Sequence, residues 1–248
     1  MILLLSGEGK SDMGGCINSM GSCTADDYKP GAMAFIVDKL VNLYQNFELS
    51  YLENGLVEFV SEKYLADNKP EAKTKGFSMP GKKKAKETQF FFANARALAI
   101  EAKRLSEEVN DKVLAVLFRD SDGTASSDRG EWQQKRDSMK NGFAAESYDL
   151  AVAMMPKPKS EAWLICALKE NPYQACKALE HRSGNDKSQN PLKLEFEALL
   201  AAHPAGLSVN ELIAENHIDV DRIDMNSMKD FKVDLKKAVE KVLSQGNP

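Results

Sequence analysis

The sequence predicts an α/β fold built on a mainly parallel sheet, and three short apolar runs carry that prediction. Ile2–Leu5 runs into Ser6-Gly7, and Val113–Phe118 and Leu150–Met155 are bounded by charge or Pro. Runs of this length without polar alternation read as strands buried on both faces, as in parallel sheets covered by helices. Between the first two lies Thr88–Val109, the longest helical candidate, carrying Gln89, Phe92, Arg96, Ile100 and Leu105 with Thr88 as its expected N-cap. It returns the chain to the sheet as a βαβ crossover requires.

Size and charge narrow the class. A chain of 248 residues predicts one large domain, or one domain with a small appendage. Its 43% hydrophobic and 28% charged residues are those of a globular protein able to bury a core. The net charge of −4 gives no global basic field, so any binding of nucleic acid would depend on local patches. No apolar run approaches the roughly 20 residues of a membrane span. Met1–Leu5 is too short for a signal peptide and lacks a cationic start. Cys16, Cys23, Cys166 and Cys176 have no metal-site spacing, and are expected to be reduced thiols of a cytoplasmic protein.

The remaining elements follow in chain order. Residues 13–31, rich in Gly, Ser and Asp, read as a loop able to close over a site. Ala32–Phe47 has helical spacing. Leu49–Leu52 and Leu56–Val60 flank Asn54-Gly55, which reads as a hairpin, or alternatively as a single strand running into a helix. Asp128–Phe143 looks helical, with Gly142 as its stop. Pro156 ends the third buried strand, and Ser160 is the expected N-cap of the helix that follows. The tail from Asn171 is helical over Tyr173–Glu180, Pro191–Ala202, Val209–Glu215 and Lys229–Leu243. Its isolated histidines, His181, His203 and His217, make a histidine base or a zinc site a poor expectation.

The chemistry-bearing residues sit just after the buried strands. Asp120 and Asp122 follow Val113–Phe118 and point the same way if the strand persists. Two such carboxylates repel each other unless a cation lies between them, and hard oxygen ligands suit Mg²⁺ or Mn²⁺. The alternative is an Asp-Gly turn. Glu8, between Gly7 and Gly9, reaches the carboxyl end of the first strand, where ligands of open α/β sheets bind. Otherwise it is a solvated loop carboxylate. Gly9-Lys10-Ser11 lacks the first glycine of a phosphate loop, since Leu4 occupies that position. Glu161 is either a further acid of the site or a first-turn carboxylate beside a helix dipole. Lys157 and Lys159 lie at the same edge and could meet phosphate oxygens. Residues 69–87 form the one strongly basic segment; its Lys82, Lys83, Lys84 and Lys86 are either phosphate contacts or a solvated charge run.

Taken together, Leu5-Ser6-Gly7-Glu8-Gly9 followed by Phe118-Arg119-Asp120-Ser121-Asp122 resembles the Toprim domain of topoisomerases, primases and overcoming-lysogenization-defect nucleases. That family carries a Glu after its first strand and a D-x-D after a later one. The segment Met155–Leu164 is similar to the lysine- and glutamate-containing stretch of small stand-alone Toprim-like proteins, which occur largely as bacterial phage-defence effectors. The resemblance covers about residues 1–168. The long first loop and the basic 69–87 segment depart from the family pattern and leave the substrate class open.

The resemblance implies a mainly parallel sheet with helices on both faces over residues 1–168, and a helical extension, 169–248, packed on it. It implies a Mg²⁺- or Mn²⁺-dependent nuclease acting on DNA or RNA, with an antiviral role. Asp120, Asp122, Glu8 and Glu161 would be the metal ligands, and Glu8, Lys157 and Lys159 the catalytic groups. An ATPase partner protein or a homo-oligomer would be compatible with it, and a membrane would not. A non-catalytic Toprim-like subunit and an unrelated Mg²⁺-dependent phosphatase or phosphotransferase are the competing readings.

Overall fold

The computed structural model describes residues 1–70, 86–121 and 129–244. The first apolar run forms β1 (Ile2–Gly7). The glycine-rich stretch expected to be a loop instead contains a wide π-helical turn, Gly9–Met13, and three short strands, β2 (Gly14–Cys16), β3 (Ser22–Thr24) and β4 (Tyr28–Pro30). Helix α1 (Ala32–Tyr44) follows. Next come β5 (Val57–Ser61), α2 (Glu62–Asp67), α3 (Lys86–Val109), β6 (Val113–Phe118), α4 (Arg129–Ala145), β7 (Ala151–Met154) and α5 (Ser160–Leu168). The tail supplies α6 (Leu192–Ala202), α7 (Val209–Ala214) and α8 (Asn226–Ser244).

The main sheet runs in the order β3-β5-β1-β6-β7, with β5, β1, β6 and β7 mutually parallel and β3 antiparallel on the edge. Leu5 therefore lies between Phe59 and Val116, and Val116 beside Val152. Side chains alternate between faces along each strand. Leu3, Leu5, Leu114, Val116, Phe118, Val152 and Met154 join a core with α1, α5 and α8. Leu4, Val113, Ala115, Leu117 and Ala153 join a second core with α3 and α4. Both faces are covered by helices, which is why β6 is buried along its whole length and shows no polar alternation. Leu212, Ile213, Phe231, Leu235 and Val239 from the tail belong to the same core as Leu3.

Several expectations are corrected. Asn54-Gly55 does not turn a hairpin: β5 is a single strand running directly into α2, the alternative reading. The cause is Asp38, a buried carboxylate on α1. It accepts hydrogen bonds from the Tyr51 N–H at 2.6 Å, the Leu52 N–H at 3.3 Å and the Ser50 hydroxyl at 2.8 Å, tying residues 50–52 to the helix instead of to a partner strand. Asp38→Ala is expected to cost about 2–3 kcal/mol, because it strands buried donors; urea unfolding measures it, and Asp38→Asn should recover part of the loss.

Gly142 does not stop α4, which continues to Ala145. A Cβ there would lie 2.5 Å from the Phe92 carbonyl oxygen and 2.7 Å from Ala95 Cβ, so the glycine lets α3 and α4 pack closely. Thr88 is not an N-cap, since α3 opens at Lys86. The expected helix at Tyr173–Glu180 is a 3₁₀ segment, Cys176–His181. The cysteines are not free thiols: Cys16 pairs with Cys23 and Cys166 with Cys176, with Cα–Cα separations of 5.8 and 5.3 Å. Folding of the 13–31 stretch and of the turn after α5 brings each pair within bridging distance. Disulfides persist in oxidising compartments, so cysteine usage gives no support to a cytoplasmic setting.

Candidate active site

The residues predicted to carry chemistry meet where neighbouring parallel strands end. β1 and β6 are adjacent and in register, with Gly7 beside Phe118, so the residues just beyond them must converge. Glu8 Oε1 accepts a hydrogen bond from the Asp120 N–H at 2.9 Å. Asp120 Oδ1 accepts one from the Ser160 N–H at 2.9 Å, at the first turn of α5. Ser160 is not the N-cap, a position held by Lys159, but the first residue of the helix. Its hydroxyl donates to Asp12 Oδ1 at 2.5 Å and lies 3.4 Å from Glu161 Oε2. A chain of hydrogen bonds thus links Glu8, Asp120, Ser160 and Asp12, with Glu161 at its margin.

Asp12 had no place in the sequence-based site. Its carboxylate is delivered by the π-helical turn after Glu8, and that turn is pressed against the start of α1. At Gly31 a Cβ would meet the Asp12 carbonyl oxygen at 2.4 Å and that of Ser11 at 2.6 Å. The Tyr28 hydroxyl donates to the Met13 carbonyl and anchors the turn from below. The one available signal was an acid four residues beyond Glu8 in a glycine-rich segment.

The electrostatics are those of a carboxylate cluster short of positive charge. Burial, followed by the charges of Asp12 and Glu161 and then Glu8, pushes the Asp120 carboxyl well above its ordinary range, while the Ser160 N–H acts against the shift. Burial also raises Asp12, against the hydroxyls of Ser160 and Ser11 and the charge of Lys159. Glu161 is raised by burial, opposed by a backbone N–H and Lys159. For Lys159, burial acts downward, but Asp186, Glu161 and Asp120 outweigh it and hold the ammonium above its usual value. Lys159 Nζ lies 3.0 Å from Asp186 Oδ1.

Arg119 brings a second cation, buried to 1% exposure. Its Nη1 donates to the Phe118 carbonyl at 3.0 Å, Nη2 is 3.8 Å from Glu62 Oε1, and the guanidinium lies 5.8 Å from the centre of the Phe90 ring. Nε and Nη2 have no hydrogen-bond partner among the described residues. Burial lowers its pKa, opposed by Glu62 and Glu8. Ser121 closes the structure below: its hydroxyl donates to the Pro158 carbonyl at 2.9 Å, and its own carbonyl accepts from Lys135 Nζ at 2.9 Å.

The remaining predicted residues separate. Lys157 lines a cleft of about 270 Å³ with Trp132, Gln133, Glu180, His181, Asn226 and Ser227. A second cleft of about 340 Å³ lies beside Glu8 and is lined by Lys10, Asn18, Ser61 and Lys63 among others. Asp122, Lys82, Lys83 and Lys84 lie outside the described residues, as does the side chain of Lys86.

The donor set of Glu8, Asp12, Asp120 and Glu161 is all oxygen and suits Mg²⁺ or Mn²⁺ in kind. Among the described residues, however, no group of three or more His, Cys, Asp or Glu side chains is arranged to hold a metal ion as it stands. No described helix is long and apolar enough to cross a membrane. Comparison with known proteins returns no matching family model, no similar curated protein and no similar solved structure, so the reading of this site rests on its own residues.

Proposed function

We propose that the protein is a metal-dependent nuclease that cleaves phosphodiester bonds of DNA or RNA at the carboxyl edge of β1 and β6. One observation carries the reading: Glu8 and Asp12 (from one turn), Asp120 and Glu161 arrive at one edge from three separate parts of the chain, and three of them are held above their ordinary pKa values. Such crowding is costly without a cation and becomes favourable with one. The order of Glu8 and Asp120 along the chain also agrees with the Toprim resemblance. An antiviral effector role, and an ATPase partner or a second copy of the chain, belong to the same proposal.

Asp120, Glu8, Asp12 and Glu161 would hold the ion, with Asp122 as the further ligand implied by the D-x-D pattern. A bound Mg²⁺ or Mn²⁺ would polarise the phosphate and lower the pKa of a water. The chain's own groups supply the rest. Lys159, kept protonated by its acidic neighbours, would offset charge developing on the phosphate oxygens. Glu8 is fixed by the Asp120 N–H and stands where a general acid–base group could act. Ser160 holds Asp120 and Asp12 in one orientation through its N–H and its hydroxyl. Lys157, lining its own cleft, is assigned to binding and not to the reacting phosphate.

The test incubates the protein with Mg²⁺ or Mn²⁺ and single-stranded DNA, duplex DNA, RNA or a small phosphomonoester. A nuclease shortens a polynucleotide. Binding without shortening would indicate a non-catalytic module, and inorganic phosphate released from the monoester alone would indicate a phosphatase. A further expectation concerns the basic segment. Changing Lys82, Lys83, Lys84 and Lys86 to Ala should weaken polynucleotide binding and flatten its salt dependence, each lost phosphate contact reducing the log–log slope by about 0.7–0.9. An unchanged slope would leave the segment as a solvated charge run.

A further inference from the structure

The cleft lined by Trp132 and Lys157 is not used by the carboxylate chemistry, although it lies at the same sheet edge. β7 ends at Met154, and the segment after it sends two lysines in different directions. Lys159 faces Asp186, Glu161 and Asp120. Lys157, two residues earlier, lines the cleft with Trp132, Gln133, Glu180, His181, Asn226 and Ser227. Consecutive Cα atoms are about 3.8 Å apart, so the two lysines are separated by no more than about 7.6 Å of backbone.

Trp132 is held before any ligand arrives. Its indole Nε1 donates to the Met155 carbonyl at 3.1 Å, and the Arg136 guanidinium lies 5.7 Å from the ring centre. Arg136 is itself held by Asp234, with Nη2 to Oδ2 at 2.6 Å. Other lining residues are fixed too: Glu180 accepts from the Ser227 N–H at 2.6 Å and the Asn226 amide at 3.0 Å. A partly exposed aromatic ring fixed in place loses little entropy on stacking. The amides of Gln133 and Asn226 each give one hydrogen to a carboxylate, Asp137 and Glu180, and keep a second for a heterocycle, and Lys157 offers a cation to a phosphate.

We infer that this cleft is a nucleobase subsite, in which Trp132 stacks one base of a single-stranded nucleic acid and Lys157 meets the adjoining phosphate. The inference rests on the nuclease reading and adds to it the strand form of the substrate. The sheet order gives the direction. The cleft beside Glu8 is lined from the ends of β1 and β5 and the Trp132 cleft from the segment after β7, with the end of β6 between them in the sheet order. From β5 to β7 is three strand spacings, about 14 Å, a span that a few nucleotides can cross. A base reaches an aromatic ring inside a cleft only when it is unpaired, so the geometry favours single strands over duplex.

The test uses the full chain with chelator present, so that binding is read without cleavage. Trp132 and Trp163 are the two tryptophans, and Trp163 is fully buried. A short single-stranded oligonucleotide should quench the fluorescence, and a blunt duplex of the same sequence should not. Trp132→Leu should weaken single-strand binding about five- to a hundredfold, the usual worth of one stacked base. Trp132→Phe should retain most of the affinity and lose the quenching, which separates stacking from a general disturbance of the Met155 contact. Lys157→Ala should reduce the salt slope by about 0.7. Unchanged affinity in a folded Trp132→Leu protein, or equal quenching by duplex, would overturn the inference. Failure of the nuclease reading would show differently, as Trp132-dependent binding with no cleavage on adding metal.

Discussion

Asp120→Asn is expected to lower metal-dependent cleavage by at least about a thousandfold while raising the melting temperature of the metal-free protein. The substitution keeps an oxygen to accept the Ser160 N–H, so the local hydrogen bond can survive. It removes the negative charge that would anchor the cation and stabilise the transition state. Each 1.36 kcal/mol of lost stabilisation is about tenfold in rate, so a loss of three such increments gives the stated effect. The stability change has the opposite sign. Asp120 is crowded by Asp12, Glu161 and Glu8 and has a raised pKa in the folded protein. The folded state therefore binds that proton more tightly than the unfolded state. The ionisation penalty is absent in acid and grows as pH rises from about 4, the ordinary aspartate value, through the folded value. The Asn protein should gain least in acid and most near neutrality, where about 1 kcal/mol would raise the midpoint by about 2–4 °C. Melts at both pH values, with chelator, check it. Loss of folding in the Asn protein would instead make Asp120 a structural turn residue.

Trp163→Ala should destabilise the protein by about 3–5 kcal/mol, the usual cost of emptying a large buried aromatic site. Trp163 is fully buried on α5, its Nε1 donates to Ser227 Oγ at 2.9 Å, and its ring lies on Phe231 with centres 6.0 Å apart. Ser227 and Phe231 are on α8, so one side chain joins the helix of the site to the last helix of the tail. Ser227 is also held by Glu180, and its hydroxyl would lose the Trp163 donor. Denaturant unfolding followed by circular dichroism measures the loss, and Trp163→Phe should recover a good part of it. A cost below about 1 kcal/mol would mean that α8 does not share the core of the sheet. Because Ser160 opens the same helix, the Ala protein should also lose cleavage in proportion to the fraction unfolded.

The parts that were legible in the sequence depend on local pattern. The runs that became β1, β6 and β7 were readable because a strand covered on both faces has no polar alternation to confuse with a surface element. Glu8 and Asp120 were readable as neighbours because residues just past parallel strands share one edge. What could not be read depends on long-range contact. Asp12 is brought to the cluster by Ser160, 148 residues away, and no spacing rule reports that. Arg119 is an ordinary charged residue in the sequence and becomes a buried cation only once α3 sets Phe90 against it. Asn54-Gly55 carried the strongest short-range hairpin signal, and Asp38 on α1 overrode it. The cysteine pairs became visible only when the turns between their partners closed.

A crystal soaked in Mn²⁺ would show where a divalent cation goes. The nuclease reading predicts an anomalous peak touching oxygens of both Glu8 and Asp120, with Asp12 or Glu161 close by. A cation bound elsewhere, with the Glu8–Asp120–Ser160–Asp12 hydrogen bonds undisturbed, would contradict it.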